Sequence, residues 1–255
     1  MTYQGARVAV VVDDDGDVRG LISHVLSLQG FTVHEAATGR DGVRLAREAN
    51  PDLITLDLGL PDVDGTQVCR AVREFTDAYV VMVTARQDEI DRLIGLEIGA
   101  DDYVSKPFSP RELQARIAAM FRRPRTSVSA AANAPAAAPP ADTQLRHGDL
   151  AVDPDGRVAT LETADGVQEL TLTRTEFDIL ATLLSNPVKV WGRDALLRQV
   201  WGEGWTNDHH LVEVHMGNLR RKLGDSGRSA GFIRTVRGVG YRMEPIPASS
   251  ATAAS

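Results

Sequence analysis

The sequence is short of the features that would place it outside a reducing, aqueous compartment. One cysteine, Cys69, stands among 255 residues, so no internal disulfide can form and a cytoplasmic setting is expected. With Val68 and Val72 for neighbours, that cysteine reads as a packing residue. Apolar runs such as Val8 to Val12 are far shorter than the roughly 20 residues a bilayer-spanning helix needs, and no membrane segment is expected. Met1 to Arg7 offers no long apolar stretch and no small-residue cleavage signal, so export is not expected either.

What is present is an uneven charge. The chain carries a formal net charge of -7, which argues against a nucleic-acid partner only if it is spread evenly. Residues 1–123 hold 20 acids against 14 bases, whereas residues 206–243 hold 3 acids, 7 bases and three histidines. A basic end on an acidic chain suggests local contact with phosphate. The two regions are separated by residues 124–144, PRTSVSAAANAPAAAPPADTQ, which lack core-forming side chains and contain helix-breaking prolines. They read as a flexible tether, and residues 246–255 as a frayed tail. The organisation expected is therefore residues 1–123 as one domain, 124–144 as linker, 145–245 as a second domain and 246–255 as tail.

In the first domain, strand-like and helix-like patterns alternate. Val8 to Val12 is a buried-strand pattern, and Val18, Leu21, Ile22, Val25 and Leu26 then recur at helical spacing up to Gly30. Phe31 to Glu35, Asp52 to Leu56, Tyr79 to Val83 and Asp101 to Ser105 supply further strands, with helical segments near 65–74, 86–99 and 109–122. Five such units predict a doubly wound, flavodoxin-like (βα)5 parallel sheet, whose sites lie beyond the carboxyl ends of its strands. The first strand runs into Asp13, Asp14 and Asp15, and the third into Asp57. Two carboxylates about 4 Å apart repel by roughly 4 kcal/mol at an effective dielectric near 20, so clustering them calls for a cation or a shared proton. All-oxygen ligands without His or Cys favour a hard ion, and Mg²⁺ fits best. A plain helix-capping role for these acids is the alternative, and it is assigned to Asp15. The fourth strand ends at Thr84 and the fifth at Lys106, before Pro107. A lysine there can be a surface ion pair; carboxylate, hydroxyl, ammonium and metal at one rim can also hold a phosphoryl group.

In the second domain, residues 145–172 alternate like a small antiparallel sheet. Thr173-Arg174-Thr175-Glu176 is a capping box ahead of Phe177, Leu180, Leu183 and Leu184. A second helix is expected near 193–200 and a third near 208–223. On that third helix Val212, Met216, Leu219 and Leu223 form the inward stripe, leaving His210, Val214, Gly217, Asn218 and Arg221 outward. Such a face suits a major groove, although an exposed polar face needs no ligand. Residues Ile233 to Arg242 read as a basic hairpin about a glycine turn.

Four motifs in order give the first domain its likeness: Val11-Val12-Asp13-Asp14-Asp15, Leu56-Asp57-Leu58-Gly59-Leu60-Pro61-Asp62, Val83-Thr84-Ala85-Arg86 and Gly99 to Phe108. They resemble the receiver domains of two-component response regulators over about residues 6–122. Leu172 to Phe177, Val212 to Met216, Leu219 to Leu223 and Arg234 to Arg242 resemble the winged helix-turn-helix domain of the OmpR/PhoB subfamily over residues 145–244. The resemblance implies that Asp57 accepts a phosphoryl group from a sensor histidine kinase or a small phosphodonor. Asp13, Asp14, Asp57 and the carbonyl of Gly59 would hold Mg²⁺, and Thr84 and Lys106 would contact the phosphoryl oxygens. It also implies a cis Lys106-Pro107 bond and a switch in which Thr84 moves inward and Tyr103 follows. Arg92, Asp101, Asp102, Glu112, Arg116 and Arg123, a solvated charged face on sequence alone, match intersubunit salt-bridge positions of receivers that dimerise when phosphorylated. Arg237 would lie on a wing in a minor groove of promoter DNA, and residues 202–207 would face RNA polymerase. The chain has His210, Gly217 and Asn218 where relatives often carry arginine.

An aspartyl-phosphate phosphatase would use similar groups, but its nucleophile follows the first strand in a D-x-D-x-T/V context that Asp13-Asp14-Asp15-Gly16-Asp17 does not fit. A non-enzymatic regulator is the reading taken forward, over both that enzyme and a receiver working through protein contacts with a vestigial winged helix.

Overall fold

The computed structural model describes residues 6–85, 95–121, 144–202, 205, 208–225 and 231–245. Arg92, Arg123, nearly all of the expected linker and the tail lie outside them. In the N-terminal half, strands β1 (Arg7–Val12), β2 (Phe31–Ala36), β3 (Leu53–Leu56), β4 (Tyr79–Thr84) and β5 (Asp102–Ser105) form one parallel sheet in the order β2-β1-β3-β4-β5. Every neighbouring pair is parallel. Strands β3 and β4 are apolar and buried along their whole length, as expected where helices cover both faces.

Helices α1 (Gly16–Leu28) and α4 (Pro110–Met120) cover one face, where Ala9, Val11, Ile22, Leu26, Val81, Leu113 and Ile117 pack together. On the other face Val10, Val12, Ile54, Leu56, Val80 and Met82 meet α2 (Gly39–Ala49), α3 (Gly65–Arg73) and helical residues 95–98. Cys69 is fully buried there, and burial pushes its thiol up to about 11, in keeping with the packing role. Local signals set the ends. Asp15 caps α1 by accepting from the amides of Asp17 and Val18, Thr38 caps α2 and Asp64 caps α3.

The C-terminal half opens with an antiparallel sheet of β6 (Leu145–His147), β7 (Leu150–Asp153), β8 (Val158–Thr163) and β9 (Gly166–Glu169). Helix α5 (Arg174–Ser185) follows with the anticipated capping box: the Thr173 hydroxyl accepts from the Glu176 amide, and the Glu176 carboxylate accepts from the Thr173 amide at 2.8 Å. Glu176 is buried, and Lys222 reaches its carboxylate at 2.6 Å from the far helix. Then come β10 (Trp191–Gly192), α6 (Arg193–Val200), α7 (His209–Lys222), β11 (Ile233–Val236) and β12 (Gly240–Met243). The last two strands form the wing, turning at Gly238 with φ +74°, and β10 joins them, a strand the sequence did not announce. Gly240 is required here because a Cβ would strike the carbonyl of Trp191. No helix among the described residues is long and apolar enough to cross a membrane.

The two halves are in contact. The core behind α3 runs on without a break into Trp201, Val214 and Leu219 of the second half, an arrangement the flexible tether gave no reason to expect.

Removing the cap hydroxyl with Thr173→Ala is expected to lower stability by about 1 kcal/mol, seen as a lower urea midpoint with unchanged slope.

Candidate functional site

The parallel ladder brings the acids together. The amide of Asp57 donates to the carbonyl of Val12 (2.9 Å) and that of Asp13 to Ala36 (3.1 Å), so the ends of β1, β2 and β3 are level. Oxygen atoms of Asp13, Asp14 and Asp57 lie within 4.8 Å of one another. Lys106, following β5, places Nζ 2.7 Å from Asp57 and 2.8 Å from Asp13. Its amide donates to the carbonyl of Thr84 at 2.7 Å, which fixes it beside the end of β4. Thr84 is buried, Tyr103 half-buried on β5, and the Lys106-Pro107 bond is cis. The exposed Gly59 donates its amide to Asp57 Oδ1 at 3.2 Å.

Two supports escaped the sequence reading. Arg19 donates to the carbonyls of Asp13 (2.7 Å) and Asp14 (3.3 Å), holding the acidic loop from one turn inside α1. Gly65 seats α3 so close to the acceptor loop that a Cβ would overlap the carbonyl of Asp57. Helical spacing from Asp15 could have suggested the first; nothing local betrays the second.

The electrostatics show an unbalanced rim. Burial raises the Asp13 carboxyl above its usual range, Lys106 partly offsets this, and the like charge of Asp57 adds to it. Burial works against the Lys106 ammonium, but hydrogen bonds to Asp13 and Asp57 leave it raised overall. One ammonium faces three carboxylates, so the all-oxygen donor set suits a hard divalent cation.

The second feature is α7. Its inward stripe of Val212, Met216, Leu219 and Leu223 is buried as anticipated. The face assigned to solvent is not free, and this corrects the sequence reading. Val214 is only 8% exposed and Asn218 only 3%, because the first half covers them. Asn218 Nδ2 donates to the carbonyl of Leu96 at 3.0 Å. Arg221 donates to Asn218 Oδ1 (2.7 Å) and makes a long contact with the Glu97 carbonyl (3.5 Å). His215, not singled out by the sequence, lies wholly buried on the same side, with Nε2 3.2 Å from the carbonyl of Asp101. Burial lowers its pKa; neutral, it donates to that carbonyl through Nε2. His210 is half-buried, whereas Gly217 and the wing-tip Arg237 are exposed. Periodicity places residues on faces of one helix but says nothing about a neighbour that arrives through a linker.

The charged face needs a similar correction. Asp101 and Asp102 are fully buried, not solvated. The Asp101 carboxylate accepts from Arg73 (2.6 Å) and the amides of Val80 (2.8 Å) and Thr175 (3.4 Å), and its carbonyl from Trp201 Nε1 (3.4 Å). Arg116 pairs with Glu112 (3.0 Å) and Asp102 (3.5 Å) while its guanidinium stacks 3.9 Å over the ring of Trp205. Arg174 meets Asp77 at 3.2 Å across the same junction.

Residues 9–118 match the response regulator receiver domain family, and residues 167–243 the family described as transcriptional regulatory protein, C terminal. The transcriptional regulatory protein AfsQ1 of Streptomyces coelicolor is 40% identical over 92% of this chain and 97% of its own. The DNA-binding response regulator MtrA of Mycolicibacterium smegmatis is 39% identical over 92% and 96%.

The chain belongs to the OmpR/PhoB-type response regulators.

Its regulator relatives also include the alkaline phosphatase synthesis transcriptional regulatory protein PhoP of Bacillus subtilis, 37% identical over 92% of this chain and 95% of that one. Among solved structures, a mutant of RitR aligns with a TM-score of 0.71 at 25% identity, over 94% of this response regulator and 99% of that chain. The N-terminal parallel sheet of the response regulator is thus its receiver domain, and the C-terminal half its winged-helix DNA-binding domain.

Burial pushes the Asp102 carboxyl up to about 7, with Arg116 pulling it back only in part. A carboxyl raised on folding contributes stability that is full below about pH 4 and lost as pH rises through about 7. His215, lowered by burial, acts oppositely, which makes a paired comparison necessary. Asp102→Asn is expected to gain stability relative to wild type on going from pH 5 to pH 8 in urea denaturation; a constant difference would contradict the assignment.

Proposed function

We propose that this regulator is switched by phosphorylation of Asp57, and that the switch acts by uncovering α7. The observation that supports it best is the covering of Val214, His215 and Asn218 by the receiver, which leaves no room for a duplex on that side of the helix. The docked chain is the inactive state.

In the forward reaction, an oxygen of Asp57 attacks the phosphorus of a phosphohistidine on a sensor kinase. The P–N bond breaks with its electrons leaving on the imidazole, and an acyl phosphate forms. Lys106 stands 2.7 Å from the attacking carboxylate and neutralises charge on the transferred group. Thr84, at the end of β4, offers its hydroxyl to a phosphoryl oxygen. Asp13, Asp14, Asp57 and the Gly59 carbonyl would hold Mg²⁺, which supplies charge neutralisation across the incoming phosphoryl oxygens. Recruiting Thr84 and Lys106 to the new oxygens disturbs both strands bordering the junction, β4 and β5, and Tyr103 turns with them.

Asp102, Glu112 and Arg116 can then pair with a second receiver. Arg116 and Asp102 are engaged inside the chain in this arrangement, so homodimerisation and docking compete for one face. Freed, α7 reads bases in a major groove of promoter DNA while Arg237 at the wing tip reaches a minor groove. Trp205, released from Arg116, belongs to the loop that would face RNA polymerase. Kinase, DNA and polymerase place this activity in the cytoplasm. The domain limits that fit are 1–123 and 145–245, joined by 124–144 and followed by the tail 246–255.

Incubation with a small phosphodonor and Mg²⁺ is expected to label wild type with an acid-stable, base-labile phosphate, to leave Asp57→Ala unlabelled, and to fail with chelator. Phosphodonor should extend the wild-type footprint on the promoter beside its gene and leave that of Asp57→Asn unchanged. Equal footprints for both proteins under all conditions would sink the switch. Arg237→Ala is expected to weaken binding to all duplexes alike and to lower the slope of log affinity against log salt by about 1.

A further inference from the structure

We propose that Gly217 is a point of close approach between α7 and one strand of the duplex, where a sugar-phosphate segment packs on bare helix backbone. The inference deepens the DNA-reading role argued above and rests on it.

Gly217 sits inside a 14-residue helix, eight positions after His209 and five before Lys222. Glycine in a helix interior is unfavourable relative to alanine because it has more backbone freedom to lose. Elsewhere in the chain the reason for a glycine is visible. At Gly65 and Gly240 a Cβ would overlap neighbouring backbone, and at Gly30, Gly99 and Gly238 φ is positive. Gly217 has neither excuse: its φ is not positive, and a Cβ built on it meets nothing within 4 Å among the described residues.

Nor does the docked receiver require it. Val214 and Asn218 are buried by the receiver, but Gly217 stays exposed at the edge of that contact. It opens onto a shallow hollow shared with Arg220, Arg221, Gly224 and Asp225. The Arg220 guanidinium is anchored to the wing strand through the Ile233 carbonyl (2.9 Å) and Thr235 Oγ1 (2.7 Å). The acid of the hollow, Asp225, is turned to the amide of Ile233 at 3.2 Å. Two guanidinium groups therefore border a strip of helix with no side chain, a surface that fits a polyanionic strand lying flat against it. The constraint that keeps position 217 bare is thus assigned to the nucleic acid and not to the protein.

The test uses the full chain, treated with phosphodonor and Mg²⁺, and a duplex selected by wild type from a pool of random sequences about three helical turns long. Gly217→Ala and Gly217→Ser should melt at or above the wild-type temperature and bind the selected duplex at least tenfold more weakly. Binding by Gly217→Ala within twofold of wild type, with its melting temperature retained, overturns the inference while leaving DNA recognition by α7 intact. Failure of wild type to enrich any duplex would instead remove the DNA-reading role, and this inference with it.

Discussion

Asp101 is buried where the two domains meet, and much of the arrangement depends on its being satisfied there. A carboxylate removed from water is costly unless charge and hydrogen bonds replace its hydration. Arg73 supplies the charge, Val80 a donor from the neighbouring strand and Thr175 one from the DNA-binding domain. The carbonyl of the same residue accepts from Trp201 and lies within hydrogen-bonding distance of His215, both of the second domain. One residue thus satisfies polar groups on both sides of the junction. It precedes the strand whose other end delivers Lys106 to the acid cluster, so the acceptor site and the junction lie at opposite ends of β5.

That geometry makes the junction selective about what can replace it. Pulling the domains apart exposes Val214 and Trp205 and leaves the amide of Thr175 and the ring nitrogen of Trp201 without their partner. Water can satisfy the polar groups but not the apolar ones. The open form must therefore find other contacts, and a duplex for α7 and a second receiver for the Arg116 face are surfaces of the appropriate chemistry. Affinity for DNA and for a second copy is then reduced by the free energy of undocking.

The sequence made the parallel sheet legible because β1, β3 and β4 are continuous apolar runs punctuated by carboxylates, and period and strand ends together fix which residues share a rim. Asp13, Asp14, Asp57, Thr84 and Lys106 duly converge. The capping box at Thr173 and the inward stripe of α7 were equally local signals. Asp101, His215 and Gly65 were not, because each owes its role to a contact between segments distant along the chain. Asp101 and Asp102 looked like solvent-facing charges since charge is the usual mark of surface. Only the docked helix and the Arg73 guanidinium show why such a pair can be buried.

Cys69 has a practical bearing beyond packing. Its thiol lies behind the central sheet with no solvent contact, and burial holds it in the protonated form that neither oxidants nor electrophiles attack readily. The native chain is in effect silent to thiol chemistry while folded. A cysteine introduced at any exposed site would be the one reactive handle on the molecule, so dyes or spin labels can be attached across the domain junction without first removing the natural residue.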